Sequence, residues 1–132
     1  MSWEQAQPVK ITRAAEADLS ALQYHFVKAG SSGGVVTCDT QGENALGVLQ
    51  NKPTSGKDAV IVMLGITKLK AMAAIADGAG LTVSDVTATE AEADDSPASA
   101  EHVLGKSIHG QAAVAGDIIT ALVNCTSNFL VP

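Results

Sequence analysis

Apolar and polar residues alternate with a period of two along several short stretches of this chain, which is the pattern of half-buried β-strands. The clearest stretch is Leu19–Ala29. Its alternation places Tyr24 and Phe26 on one predicted face, and His25 and Val27 on the other. We therefore predict a strand over these residues, with His25 on its polar face.

Glycine-rich turns connect this stretch to the next two. Gly30–Gly34 predicts a turn, because glycine adopts the positive φ angles that tight turns require. Val35–Cys38 follows as a second strand, so the two stretches predict a β-hairpin. A third strand is predicted over Ala45–Gln50, in which Gly47 indicates a bulge or a close approach of backbones.

The stretch with the densest β-branched composition is Asp58–Met63, which predicts a buried central strand. Gly65 is positioned to kink this strand, and Ile66–Lys70 continues it with the lysines facing water. The alanine-rich segment Ala71–Ala76 predicts one helical turn. The remaining predicted strands are Val9–Thr12, Leu81–Val83, Val103–His109 and Asp117–Asn124.

About eight short strands joined by glycine-rich turns predict an all-β fold, either a small barrel or a sandwich. The chain has 132 residues, which is the usual size of one domain. We expect an extended N-terminal arm over residues 1–8 and a single β-rich domain over residues 9–132. Only 3% of the residues are aromatic, so the core has to be built mainly from Val, Ile, Leu, Ala and Met.

The segment Ala88–Ala100 is rich in small and acidic residues and has almost no bulky apolar side chain. Its carboxylates include Glu90, Glu92, Asp94 and Asp95, which repel one another. We predict an exposed loop whose charges keep the protein soluble. A docking strip for a basic patch on a partner is the alternative interpretation.

The charge balance excludes two classes of partner. The formal net charge is −6, whereas binding to nucleic acid or to an anionic membrane requires a basic face. No apolar run reaches the roughly 20 residues that cross a bilayer. Residues 1–8 also lack the basic and apolar regions of a secretory signal. We therefore expect neither a nucleic-acid nor a membrane partner.

The sequence carries no recognisable catalytic, cofactor or metal-binding motif. Ser55–Lys57 contains the Gly-Lys pair of a phosphate loop, but Asp58 stands where that motif requires Ser or Thr. His25, His102 and His109 lack the spacing of converging metal ligands. The sequence therefore predicts no catalytic, cofactor-binding or metal-binding residue.

The two cysteines, Cys38 and Cys125, are far apart and match no metal or redox spacing. Two small buried residues with free thiols are the favoured interpretation. A disulfide between them is the alternative that the sequence leaves open.

Trp3 is the only tryptophan, and it lies in an otherwise polar arm ahead of the first predicted strand. A large aromatic side chain gains free energy by leaving water. Two interpretations stay open: Trp3 folds back on its own domain, or it anchors the arm to a neighbouring subunit or a partner. On the second interpretation the contact residues on the arm are Trp3, Gln5 and Pro8.

An ordered set of short motifs extends from roughly Leu19 to Val123, over most of the chain. In chain order the motifs are Tyr24–Lys28, Gly47–Pro53, Ala59–Val62 preceded by Gly56, Gly65–Ala71, Val103–Lys106 and Gly116–Val123. This ordered set resembles the small capsid decoration, or cement, proteins of tailed bacteriophages. The motifs are packing and turn motifs, so the resemblance implies no catalytic residue.

The resemblance implies a structural protein of the virion, made in the host cytoplasm and located on the outer surface of the icosahedral head. Such a protein is a compact β-barrel-like domain, often a homotrimer, that binds the major capsid protein. By bridging major capsid subunits it stabilises the capsid against the outward pressure of packaged DNA. No cofactor and no small-molecule substrate are implied.

Two other classes of function compete with this interpretation. One is another non-enzymatic phage structural or protein-binding β-module, such as a tail or head-completion component or a carrier domain. A lipoyl or biotinyl carrier requires an exposed lysine on a tight hairpin, and Lys57 is the nearest candidate. The other class is an enzyme, which requires converging polar groups in a pocket. The sequence offers no such set, so we expect a non-enzymatic protein.

Overall fold

The computed structural model describes residues 8–84, 93–94, 97–108, 114, 116–126 and 129–132. These residues form eleven strands and no helix, so they contain no helix that could span a membrane. The strands are β1 (Val9–Ala14), β2 (Phe26–Ala29), β3 (Val35–Thr37), β4 (Gly47–Leu49), β5 (Asp58–Lys70), β6 (Gly80–Val83), β7 (Ala93–Asp94), β8 (His102–Val103), β9 (Gly105–Ser107), β10 (Ile118–Asn124) and β11 (Phe129–Leu130).

Nine of these strands form one antiparallel sheet that curls into a half-barrel. Its order is β3-β2-β4-β5-β10-β9-β6-β7, and β1 pairs separately with β5. The short strands β8 and β11 pair with each other. The predicted all-β class is confirmed, and the curvature of the sheet corresponds to the barrel alternative.

The thirteen-residue strand β5 organises the sheet, because three other strands pair with it. One edge of β5 is shared by β1, opposite residues 58–64, and by β10, opposite residues 64–70. The other edge pairs with β4. The register shifts by one residue where β1 begins, next to Gly65, whose φ of 135° is not accessible to side-chain-bearing residues without strain. The predicted central strand and its irregularity at Gly65 are both confirmed.

Two clusters of buried apolar residues stabilise the sheet. The first core cluster consists of Phe26, Cys38, Ala45, Val48, Val62, Leu69, Ala71, Ile75, Leu81, Val83, Ala93, Leu104, Ile119, Ala121 and Val123. The second core cluster consists of Ala15, Leu19, Val27, Val35, Leu49, Ala59 and Ile61. Neighbouring residues along β2, β4 and β5 therefore point into different clusters, as the alternation of side chains along a strand requires.

The β2–β3 hairpin is confirmed, but the predicted strand over Leu19–Ala29 was wrong in its first half. The strand begins only at Phe26, and the preceding residues form turns in which the Leu22 and His25 N–H groups donate to the carbonyls of Leu19 and Leu22. Burial of Leu19 in the second core cluster requires this change of direction. His25, predicted on a polar face, is only 2% exposed.

The predicted helical turn over Ala71–Ala76 was also wrong. The Ala71 N–H donates to the Asp117 carbonyl, and the Met72 N–H donates to the Ala93 carbonyl. These N–H groups are therefore bonded to distant parts of the chain: Ala71 forms an isolated bridge to Ala93, and residues 72–76 are bends and irregular chain. Pairing in the tertiary structure thus overrides the local helix propensity of alanine.

The prediction of an exposed loop over Ala88–Ala100 needs a correction at its centre. Ala93–Asp94 forms β7, which pairs with β6, and the Ala93 side chain is fully buried in the first core cluster. Residues 98–100 are exposed as predicted, whereas Glu90, Glu92 and Asp95 lie outside the described residues. The small side chain of Ala93 therefore occupies a packed position.

The predicted strand over Val103–His109 is split in two. β8 ends at Val103 and pairs with β11, whereas β9 begins at Gly105 and pairs with β10 and β6; the intervening Leu104 lies in the first core cluster. His109 lies outside the described residues. The close approach predicted at Gly47 is confirmed, since a Cβ there would collide with the Val62 carbonyl oxygen.

Candidate functional site

The arm that the sequence singled out meets the described chain at its last residue, Pro8. Trp3 and Gln5 lie outside the described residues, and Pro8 is half-buried directly before β1. Beyond Leu64 the edge of β5 that pairs with β1 is taken by β10. The β1–β5 ladder therefore ends at Val9. The contact role of Trp3, Gln5 and Pro8 stays a prediction.

The C-terminal half of β5 and its partner β10 present one face away from the first core cluster. Residues that are directly opposite each other in an antiparallel pair lie on the same face. The face comprises the four opposed pairs Leu64–Asn124, Ile66–Leu122, Lys68–Thr120 and Lys70–Ile118. We call these eight residues the outer face.

One end of the outer face is apolar. Leu64 is 36% exposed and Leu122 is 43% exposed. Val9, opposite Leu64 in the β1–β5 ladder, is 51% exposed and extends this apolar area. Exposed apolar side chains that adjoin one another are typical of protein contact surfaces, whereas isolated ones are ordinary.

The other end of the outer face is basic and adjoins a pocket. The Lys68 Nζ lies 5.7 Å from the centre of the Tyr24 ring, which is within the range of a cation–π contact. The pocket has a volume of about 360 Å³. Its lining residues are Ser20, Ala21, Gln23, Tyr24, His25, Lys52, Lys70, Gly116 and Ile118.

The backbone around Tyr24 is held tightly, which fixes one wall of the pocket. Tyr24 has a φ of 66°, an uncommon value for a residue with a side chain. Its N–H donates to the Leu49 carbonyl at 2.7 Å, and its carbonyl accepts from the Lys70 N–H at 2.9 Å. The Gln23 Nε2 donates to the Gln50 carbonyl at 2.8 Å. Strained conformations of this kind persist where surrounding contacts over-determine them.

Lys28 shows how a cation elsewhere in this acidic chain is neutralised. Its Nζ lies 2.6 Å from Asp39 Oδ1 and 3.0 Å from Glu43 Oε2. The hydrogen bond to Asp39 raises the pKa of Lys28, and the same bond lowers the pKa of Asp39. The eight residues of the outer face include two lysines, Lys68 and Lys70.

The remaining candidate groups serve packing and turns. Cys38 and Cys125 are free thiols, so the alternative with a disulfide was wrong. Burial raises the pKa of both thiols, that of Cys125 to about 12. Ser55–Lys57 lies in a surface turn closed by the Lys57 N–H donating to Thr54. Among the described residues no group of three His, Cys, Asp or Glu side chains is placed to hold a metal ion.

The sequence predicted part of this site. The alternation over Ile66–Lys70 indicated lysines on the side opposite the core, and Lys68 and Lys70 lie there. The pocket itself was missed, because its residues come from four separate parts of the chain: residues 20–25, Lys52, Lys70 and residues 116–118. Because residues 19–25 were predicted as part of a strand, the turn that brings Ser20 and Tyr24 to the pocket was not predicted.

Comparison with known proteins shows the fold. No family model matches the chain, and no curated protein matches it by sequence. Among solved structures, the chain is similar to the N base of the head fiber protein gp8.5 of bacteriophage phi29, with a TM-score of 0.64. The two chains are 16% identical, and the match covers 89% of this chain and 94% of that one. This chain therefore has the fold of a phage head fiber base.

Proposed function

We propose that this chain is a non-enzymatic structural protein of a phage virion that binds the outer surface of the head. The observation that carries the proposal is the fold shared with a phage head fiber base over nearly the full length of both chains. The ordered motifs from Leu19 to Val123, which resemble capsid decoration proteins, support it independently of the coordinates.

The architecture suits a protein that works by contact. Its long central strand and two core clusters make a rigid body. The outer face combines exposed apolar residues with lysines on two paired strands, although Thr120 at its middle is buried. We propose that such a surface binds major capsid subunits and stabilises the capsid by bridging them.

We further propose that the chain acts as a homotrimer and that its arm contributes to assembly. Several linked copies that bind one capsid rebind locally, so contacts of modest strength give lasting occupancy. Trp3 is suited to anchor the arm, because a buried tryptophan contributes strongly to protein interfaces. Gln5 and Pro8 belong to the same proposed contact.

Deletion of residues 1–7 tests the role of the arm. We expect weaker capsid binding or loss of the trimer, with unchanged β-sheet circular dichroism, because the described members of both core clusters lie at or after Ala15. Light scattering coupled to size exclusion measures the oligomer, and cosedimentation with heads measures the binding. Trp3→Ala alone is the matched variant. Full binding and an intact trimer without the arm would contradict this role.

Cosedimentation with expanded, undecorated heads of the phage that encodes the chain tests the function itself. We expect saturation at a fixed ratio of chains to major capsid subunits, since symmetry-related sites on a shell are equivalent. Decorated heads should also withstand heat or chelation better than bare heads. Absence of binding to such heads would overturn the proposal.

A fiber attachment base is the second candidate, and the fold match to a head fiber base favours it. A base of this kind binds the head and carries a further structure, without bridging capsid subunits. The two candidates differ in one result: a bridging protein raises the melting temperature of the expanded head, whereas an attachment base leaves it unchanged.

A further inference from the structure

The apolar end of the outer face is exposed in a single copy of the chain. Val9, Leu64 and Leu122 are 51%, 36% and 43% exposed. Val9 and Leu64 are directly opposite each other, and Leu122 is opposite the half-buried Ile66, two residues beyond Leu64. Opposed side chains have Cβ atoms roughly 5 Å apart, so these four residues form one contiguous apolar area. An exposed area of this kind is typical of a contact surface.

The N-terminal arm joins the domain at this same place. Val9 and Asn124 are both paired with Leu64 along one edge of β5, so β1 and β10 lie end to end there. β10 therefore occupies the edge along which β1 would otherwise extend toward the N-terminus. The chain that precedes Val9 thus starts from the apolar end, next to Leu64 and Leu122.

The arm carries a side chain that suits this apolar area. Trp3 is its one aromatic residue, and a tryptophan buried at an interface contributes strongly to binding. The six residues from Trp3 to Pro8 span at most roughly 20 Å when extended. Trp3 can therefore reach the apolar end of a neighbouring copy whose β1 begins close by.

The charges beside the apolar end complement those of the arm. Lys106 of β9 is exposed and lies directly opposite Leu122, so the two side chains share one face. Glu4 follows Trp3 in the arm. A tryptophan packed on Leu122 would place an indole ring and a carboxylate near the Lys106 ammonium group. Such peripheral charges influence orientation and association rate more than affinity.

We infer that Trp3 of one copy packs on the apolar end of a neighbouring copy, so that each copy donates one arm and receives another. The occupant that we assign is a second copy, because Val9, Leu64 and Leu122 are exposed in the single chain. A contact between two different surfaces of identical chains closes into a ring when the rotation permits. This inference rests on the proposed homotrimer, and the arm with the face beneath it then forms part of the surface toward the head.

The fluorescence of Trp3 tests this contact directly. Trp3 is the only tryptophan of the chain, so tryptophan emission reports the environment of the arm alone. We expect blue-shifted emission at concentrations at which light scattering shows the trimer. Dilution to the monomer should shift the emission to that of tryptophan in water, because the contact forms only between copies.

Two exposed leucines provide a matched pair of variants. Leu122 lies on the apolar end, whereas Leu130, 53% exposed, lies on β11 in the separate two-stranded sheet. We expect Leu122→Asp to raise the dissociation constant of the trimer about tenfold or more and to shift the emission to the red, since it removes an apolar contact of a buried tryptophan. Leu130→Asp should change the constant less than about twofold, as surface changes away from a contact do.

Circular dichroism melting establishes that each variant folds. Leu122→Thr, whose β-branched side chain suits a strand, replaces Leu122→Asp if the latter does not fold. Combining Trp3→Ala with the variant at Leu122 should weaken the trimer no more than either change alone, because both remove the same contact. Additive losses would show that the two residues do not touch.

The remaining outcomes separate the inference from the proposed function. Unchanged emission and an unchanged trimer in Leu122→Asp would overturn the inference. Blue-shifted emission from the monomer would also overturn it, since Trp3 would then pack on its own domain. A chain that stays monomeric, with emission as in water at every concentration, would overturn both the inference and the homotrimer. Cosedimentation with heads decides the head-binding function independently of these results.

Discussion

The two halves of β5 have different environments although they belong to one strand. At Ile61 and Val62 in the first half both faces are buried, since Ile61 lies in the second core cluster and the adjacent Val62 lies in the first. In the second half only one face is buried: Leu69 lies in the first core cluster, whereas Lys68 remains partly exposed. The halves meet at the register shift beside Gly65.

Because of this difference, one half of β5 contributes mainly to the stability of the fold, and the other half can contribute to binding. A strand segment buried on both faces contributes apolar burial from every residue but offers no surface to a partner. A segment buried on one face keeps alternate positions available for contact. No further layer of the protein covers Leu64 of β5 or Leu122 of β10, so both side chains are exposed. This exposure is what makes the outer face available as the proposed docking side.

The largest expected effect is a loss of stability at the doubly buried half. Ile61→Ala removes a fully buried side chain and leaves a cavity, so we expect the free energy of unfolding to fall by about 2–5 kcal/mol. The matched variant on the other half, Leu64→Ala, should cost less than about 1 kcal/mol, because Leu64 is 36% exposed. Chemical denaturation measures both. Equal losses would refute the contrast between the halves.

A smaller loss is expected where β4 approaches the doubly buried half. In Gly47→Ala the new Cβ would collide with the Val62 carbonyl oxygen and lie 2.5 Å from Ile61 Cγ2. Backbone cannot yield as a flexible side chain does, so we expect a loss of about 1–3 kcal/mol. Gly80→Ala is the control, since its Cβ would meet only the Val103 Cγ1, at 3.2 Å. The prediction fails if thermal unfolding shows the two variants to be equally stable.

The smallest effect concerns the thiols near the junction of the halves, where the Cys125 N–H donates to the Met63 carbonyl. Burial raises the pKa of Cys38 and of Cys125, the latter from 9.0 to about 12. The stabilising contribution is therefore complete below pH 9 and is lost as the pH rises toward 12, because the unfolded thiols ionise first. By pH 10 each thiol should have lost about 1 kcal/mol.

A double variant isolates this contribution. Cys38→Ala combined with Cys125→Ala removes both thiols, while the lysines and the tyrosine titrate alike in both proteins. The stability difference between the wild type and this variant should shrink between pH 8 and pH 10 in chemical denaturation. A difference independent of pH would show that the thiols ionise as readily in the folded protein as in the unfolded one.

The elements that were predicted correctly are those whose signal lies in neighbouring residues of the sequence. The β2–β3 hairpin and the long strand β5 were recognised because alternation, β-branched residues and glycine turns are properties of neighbouring positions. The errors fell where a distant partner decided the outcome. Ala71 pairs with Asp117, and Ala93 packs into the core, although their local composition predicted a helical turn and an exposed loop.

The sequence by itself determined that this protein is an all-β fold with a buried central strand, a backbone irregularity at Gly65 and lysines opposite the core. Only the tertiary structure decided which residues from distant parts of the chain share one exposed surface. Tyr24, Lys52, Lys70 and Ile118 lie far apart in the chain, and they share a pocket because β10 pairs with β5 while the turn before β2 packs against the opposite edge. Strand pairing of this kind depends on long-range contacts whose energies no local pattern encodes.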